Sequence, residues 1–189
     1  MIIPVADVGG QYNHLISRCF QELSIESKLV PLSITIDELN DMEIDGFVMG
    51  GGPQRIDSEM DKLGNLPDII KNLKKPMLGM CLSHQLMAVT FGGNAGPAKF
   101  PEYGPVKILV DENDDILKGF GKSFTTWETH NDEVLVLPRS FKILAHSEKC
   151  KIQAMKHAKL PIFGLQFHPE VDDKNGKMIF QNFIEICRK

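Results

Sequence analysis

Apolar positions in this chain switch repeatedly between strand spacing and helix spacing, most regularly in its first half. Ile2 to Asp7 is an apolar run ending in Gly9-Gly10. Gln11 to Leu23 follows with helical periodicity through Tyr12, Leu15, Ile16, Cys19, Phe20 and Leu23, so Tyr12 is expected in the core. Lys28 to Leu32 reads as a second strand, and Thr35 to Met42 as a short polar helix with Thr35 as its cap and Glu38 three residues on. Gly46 to Met49 is a third strand running into Gly50-Gly51-Gly52-Pro53, and Leu66 to Leu73 a helix closed by Lys74, Lys75 and Pro76. Met77, Leu78 and Met80 then form a fourth strand. Cys81 follows at once, and from Leu82 the spacing turns helical through Leu86 and Val89.

After Gly92-Gly93 the pattern changes. Val106 to Val110, Ser123 to Trp127, Glu133 to Val136, Lys142 to His146, Ile152 to Lys156 and Ile162 to Phe167 read as short strands, several of them antiparallel. Gly176 to Cys187 is a closing amphipathic helix with Met178, Ile179, Phe183 and Ile186 on its apolar side. Strands alternating with helices across short loops predict an α/β fold, a parallel sheet with helices on both faces, extended by the antiparallel strands of the second half. The expectation is one domain spanning residues 1–189.

Composition narrows the function classes. A formal charge of −4 over 189 residues argues against nucleic acid or an anionic membrane as partner. No run of eighteen apolar residues and no basic-then-apolar leader occur, so neither a membrane span nor a secretory signal is expected, and the cytoplasm is the simplest location. Cys19, Cys81, Cys150 and Cys187 have no CxxC spacing, which suggests neither a disulfide framework nor a structural zinc site. Cys19 and Cys187 fall on apolar helix faces.

A cysteine at a strand end is, taken alone, more often a small core hydrophobe than a nucleophile. Here the context reverses that. Gly79-Met80-Cys81-Leu82-Ser83 has the layout of a nucleophile elbow, with small residues flanking a sharp strand-to-helix turn. The helix start offers free amides and a positive dipole end to a thiolate. His84 and Gln85 follow where a packing helix would prefer apolar residues. Phe167-His168-Pro169-Glu170 ends the last strand, and two-residue alternation would put His168 and Glu170 on one side, with Pro169 keeping His168 extended. His168 could then act as general base with Glu170 fixing its tautomer. His-x-Glu could also be two metal ligands, but no further candidate at metal-site spacing accompanies it. Gly50-Gly51-Gly52-Pro53 is either a plain tight turn or a loop whose amides approach a ligand closely. The amides of Gly52 and Leu82 are the candidate oxyanion donors. No Gly-Lys-Ser/Thr follows, which disfavours a phosphate loop.

Taken together, Gly79-Met80-Cys81-Leu82-Ser83-His84-Gln85, the Gly51-Gly52-Pro53 turn and Phe167-His168-Pro169-Glu170-Val171 resemble the class I, triad-type glutamine amidotransferases over essentially the whole chain. The resemblance implies a flavodoxin-like fold and hydrolysis of L-glutamine to glutamate and ammonia through a thioester. It assigns Cys81 as nucleophile, His168 as base and Glu170 as its partner, with Gly52 and Leu82 forming the oxyanion hole. Gln85 and the backbone around Thr129, Asn131 and Asp132 would hold the glutamine head group. One departure stands out: the family usually has glycine where this chain has Ser83.

Asp7-Val8-Gly9-Gly10-Gln11-Tyr12, Trp127-Glu128-Thr129-His130-Asn131-Asp132-Glu133-Val134 and Gln153-Ala154-Met155-Lys156-His157 resemble the branch of the family that serves GMP synthases of the two-chain kind. That resemblance implies a separate ATP-pyrophosphatase synthase subunit, which would carry ATP and magnesium, adenylylate xanthosine monophosphate and receive the ammonia, with docking switching on a nearly idle glutaminase. No cofactor or metal is expected in this chain itself. His130 and Asp132 are candidates for coupling the two subunits, with a plain satisfied turn as the alternative reading of that stretch. The competing readings are an amidotransferase subunit for anthranilate or aminodeoxychorismate, a non-catalytic regulatory subunit of the same fold and, less well supported, a cysteine peptidase.

Overall fold

The computed structural model describes residues 1–172 and 175–189. Its framework is a nine-stranded sheet in the order β2-β1-β3-β4-β9-β8-β7-β5-β6. The strands are β1 (Val5–Ala6), β2 (Leu29–Val30), β3 (Phe47–Met49), β4 (Met77–Met80), β5 (Asn94–Val110), β6 (Ser123–Val136), β7 (Phe141–His146), β8 (Ala154–His157) and β9 (Ile162–Leu165). The first five in spatial order, β2-β1-β3-β4-β9, pair in parallel, and every pairing beyond β9 is antiparallel. That parallel order is the flavodoxin-like one, in which ligands collect outside the carboxyl ends of the strands.

Among the described residues, five α-helices cover the two faces: α1 (Asn13–Glu22), α2 (Ile36–Asp41), α3 (Leu66–Asn72), α4 (Leu82–Thr90) and α5 (Asn175–Cys187). On one face Leu39, Ile69, Ile70, Leu86 and Met87 bring α2, α3 and α4 into a single apolar cluster. On the other, Ile16 and Phe20 of α1 meet Ile179, Phe180 and Phe183 of α5. There the Phe20 and Phe180 rings pack edge to face at 5.1 Å. Thr35 and Glu38 form the expected capping box, each side chain bonding the other's backbone amide.

Two expectations need correction. Ser123 to Trp127 and Glu133 to Val136 are the ends of one fourteen-residue strand, and Thr129 to Asp132 lies inside it, not in a turn. Val106 to Val110 is likewise only the end of the seventeen-residue β5. Polar residues survive in these strands because the pair forms the sheet's edge, with β6 outermost, and a register shift opposite Asp132 and His130 interrupts its ladder. Among the described residues, no helix is long and apolar enough to cross a membrane.

Candidate active site

Strand register assembles the site. Met49 pairs with Gly79 and Met80 with Leu165, so the residues just past β3, β4 and β9 emerge side by side at one sheet edge. Those residues are the Gly50-Gly51-Gly52 loop, Cys81, and the segment leading to His168. The Cys81 amide donates to the Leu165 carbonyl at 2.8 Å, tying the elbow to the strand that carries the histidine.

Cys81 sits at φ 50° and ψ −109°, a conformation that side-chain-bearing residues seldom adopt. A sharp turn of this kind lifts the thiol off the sheet at the start of α4. Gly79 makes the turn possible: a Cβ there would lie 2.9 Å from both the Met87 sulfur and the Ser83 carbonyl oxygen. The helix could not approach the strand otherwise.

His168 and Glu170 meet as expected, but for a different local reason. β9 ends at Leu165, and Pro169–Val171 forms a single 3-10 turn with His168 as its leading residue. The turn, not strand alternation, brings His168 Nδ1 and Glu170 Oε1 to 2.7 Å. The backbone amide of His168 is fixed by the Trp127 carbonyl at 2.9 Å. Burial opposes charging the His168 ring, yet the Glu170 carboxylate and the hydrogen bonds and charges at Cys81 and Glu170 together hold it well above its ordinary 6.5. His168 Nε2 is buried with no hydrogen bond to an oxygen or nitrogen, leaving it for the thiol and for the reacting group.

Tyr12 is not a core residue. It is half-buried, lines the cleft beside Cys81, and packs edge-on against the His168 ring at 5.6 Å. This cleft of about 330 Å³ also includes Gly51, Gly52 and Thr129. A Cβ on Gly51 would lie 3.0 Å from His168 Cε1 and 3.4 Å from Cys81 Cβ, so a side chain there would press on both members of the pair as the backbone passes over them.

A second cavity of about 590 Å³ opens from Cys81 and Gly52 past Leu82 and Gln85 to Thr129, Asn131 and Asp132. Gln85 Nε2 donates to the Asp132 carbonyl at 2.7 Å and to Gln166 Oε1 at 3.3 Å, so α4 holds β6 in place across this cavity. Cys81, His168, Glu170, Gly52, Leu82, Gln85 and Thr129 to Asp132 thus all border one or other of two cavities that share Cys81, Gly52 and Thr129. His84 lines neither: it is fully buried, with its ring against the Ile152 carbonyl at 3.1 Å. Arg55 borders the second cavity too, with no motif to announce it.

Behind β6 lies a buried polar network that sequence reading missed. Glu102 accepts from Ser147 Oγ, Gln153 Nε2 and the His130 ring. Burial raises the pKa of its carboxyl but His130, Ser147 and Gln153 together bring it below the ordinary 4.5. His130 is raised, because Glu102 and Glu128 outweigh its burial. Glu128 is fully buried with neither oxygen hydrogen-bonded, and burial pushes its carboxyl up to about 8. Glu102, His130 and Cys150 bring ligand-type atoms within 4.8 Å of one another, but the Glu102 oxygens already have protein donors. The cluster is a hydrogen-bonded brace for the Thr129–Asp132 stretch. His130 has no exposed side-chain surface and could act on a partner only through β6, whereas Asp132 reaches the surface in part.

The family model described as "Glutamine amidotransferase class-I" matches residues 4–186. This chain belongs to the class I glutamine amidotransferases. Among similar proteins of the family, one from Ignicoccus hospitalis, described as a subunit of a glutamine-hydrolyzing GMP synthase, is 45% identical over 98% of this chain and 97% of its own. Another with the same description, from Archaeoglobus fulgidus, is 45% identical over 95% of each. The crystal structure of a Thermoplasma acidophilum protein, described as a candidate GMP synthase subunit, superposes with a TM-score of 0.93 at 41% identity over 100% of this chain and 94% of that one.

The departure at Ser83 is now interpretable within this amidotransferase. The side chain is fully buried, and its hydroxyl donates to the Gly50 carbonyl at 2.6 Å. The elbow of this class I amidotransferase therefore accommodates a Cβ and uses the oxygen it carries.

Proposed function

We propose that this chain is the glutaminase subunit of a two-subunit GMP synthase. Cys81 gives its proton to His168 Nε2, and its sulfur attacks the side-chain amide carbon of L-glutamine. The carbonyl oxygen becomes an oxyanion, for which the amides of Gly52 and Leu82 are the donors. His168 then returns the proton to the departing nitrogen, ammonia leaves, and a γ-glutamyl thioester remains on Cys81. Water, deprotonated by His168, adds to the thioester and releases glutamate and the free thiol. Glu170 keeps the imidazole in the tautomer that presents Nε2 and stabilises its charged form.

The observation that carries this reading is the 2.7 Å pair of His168 and Glu170 with Nε2 left for the neighbouring thiol, at the edge where the glycine loop also ends. Gln85, Thr129, Asn131 and Asp132 border the cavity open to that thiol and would hold the glutamine head group. Ammonia is useful only if it reaches an activated acceptor before protonation. A separate synthase subunit binding ATP, magnesium and xanthosine monophosphate would take it up, as the description of the relatives as single subunits of GMP synthase suggests. The test is glutamate release by this chain with and without the synthase, ATP and xanthosine monophosphate. The complete mixture should turn over glutamine faster than the isolated chain, with one GMP formed per glutamate. Equal rates with no GMP would refute the partnership.

A further inference from the structure

Oxyanion donors work only if they are aimed before the charge develops. A loop of three consecutive glycines is badly suited to that, because each peptide plane can rotate with little steric resistance. Two buried side chains counter that freedom here. Ser83 Oγ donates to the Gly50 carbonyl at 2.6 Å. Asn13 is only 2% exposed at the start of α1, and the orientation of its carboxamide is assigned from its neighbours. With the nitrogen facing the acceptor and the oxygen facing the donors, it donates to the Gly51 carbonyl at 3.1 Å. In that orientation its oxygen accepts from the amides of Val8 and Gly10, each at 3.1 Å, so the carboxamide is satisfied at both ends.

A trans peptide is planar, with its carbonyl and the following N–H pointing in opposite directions. Holding the Gly51 carbonyl therefore sets the direction of the Gly52 N–H. Holding the Gly50 carbonyl fixes the plane before it. We infer that Asn13 and Ser83 are positioning residues that aim the oxyanion-binding amide of Gly52 by anchoring the carbonyls of Gly51 and Gly50. Neither needs to touch the substrate. Asn13 reaches the loop from α1 and Ser83 from the first turn of α4, so the loop is held from two separate elements. Ser83 also links donor loop to nucleophile, since it lies two residues after Cys81 on the elbow itself. The inference rests on the glutaminase reading of the site.

The test is made on the complex with the synthase subunit, and compares glutamine turnover with iodoacetamide alkylation of Cys81. Alkylation needs the nucleophile and no oxyanion. Asn13→Asp keeps an oxygen for the Val8 and Gly10 amides but cannot donate to Gly51. Ser83→Ala removes one oxygen and keeps the Cβ, so it serves even if Asn13→Asp fails to fold. Each is expected to lower kcat about 10- to 100-fold, less than outright deletion of a donor, with KM and the alkylation rate within about two-fold of the parent. Unchanged kcat in a folded variant, or equal losses of kcat and alkylation rate, would overturn the inference. A parent complex whose Cys81 is alkylated but which releases no glutamate from glutamine would instead overturn the glutaminase reading, and the inference with it.

Discussion

Cys81 occupies a backbone conformation that its own Cβ resists, with φ at 50°. A non-glycine residue held there costs of the order of 1 kcal/mol or more, a cost the fold sustains because the turn presents the sulfur. Cys81→Ala and Cys81→Gly should both abolish glutamine hydrolysis. Glycine, however, should be the more stable of the two in thermal melts, reversing its usual penalty of about 0.5–1 kcal/mol; a higher melting temperature for Cys81→Ala would contradict the strain. Glu128 supports a second prediction. Its carboxyl, pushed from the ordinary 4.5 to about 8 by burial, keeps a proton in the folded chain that the unfolded chain releases. Folding therefore takes up a proton between those two values, and this group's contribution makes stability fall as pH rises through that window. Glu128→Gln cannot ionise. Its unfolding free energy, from denaturant titration, should gain on the parent's from about pH 4.5 to about pH 8 and level off above, with a plateau of the order of a few kcal/mol. A constant gap across that range would show that Glu128 is ionised in the fold. At this scale the meeting of Cys81, His168 and Glu170 was legible, because each came with a local motif. Asn13 and Glu128 were not. Each has near neighbours in sequence, Val8 and Gly10 for one and His130 for the other. But the contact of Asn13 with Gly51 and the burial of Glu128 beside Glu102 depend on chain far off, and nothing local marks a buried amide or acid.

Among elements, the close contact of β4 with α4 decides whether the elbow forms. Gly79 has no room for a side chain against Met87 and the Ser83 carbonyl. Gly79→Ala should lower stability by about 1–3 kcal/mol. It should also slow glutamine hydrolysis, because relief requires α4 to move and Cys81 moves with it. Wild-type turnover with an unshifted melting temperature would show that the contact is slack. Most of the parallel elements were readable from apolar spacing because β1, β3, β4 and β9 are buried along their whole length and each has a glycine or proline beside it at one end at least. β5 and β6 were not readable as long strands, since an edge pair need not alternate. His130, Asn131 and Asp132 resemble a polar turn until their partners on β5 are known. The pairing of His168 with Glu170 was anticipated correctly from the wrong geometry, because a strand and a 3-10 turn can both bring residues two apart into contact.

For the whole molecule, function depends on one sheet edge where loops from three neighbouring parallel strands end. The helices on the two faces build separate apolar clusters, and the antiparallel extension adds β6, whose Trp127 carbonyl holds the His168 amide and whose Thr129–Asp132 stretch borders the cavity. The central claim is that glutamine is split at the sulfur of Cys81 with His168 as proton carrier. The most direct test is to treat the complex with a diazo-ketone analogue of glutamine and locate the adduct by peptide mass spectrometry. The account predicts a single adduct, on Cys81, blocked by excess glutamine and formed far more slowly in His168→Ala. Labelling at Cys150 or Cys187 instead, or glutamine hydrolysis that persists in Cys81→Ala, would contradict it.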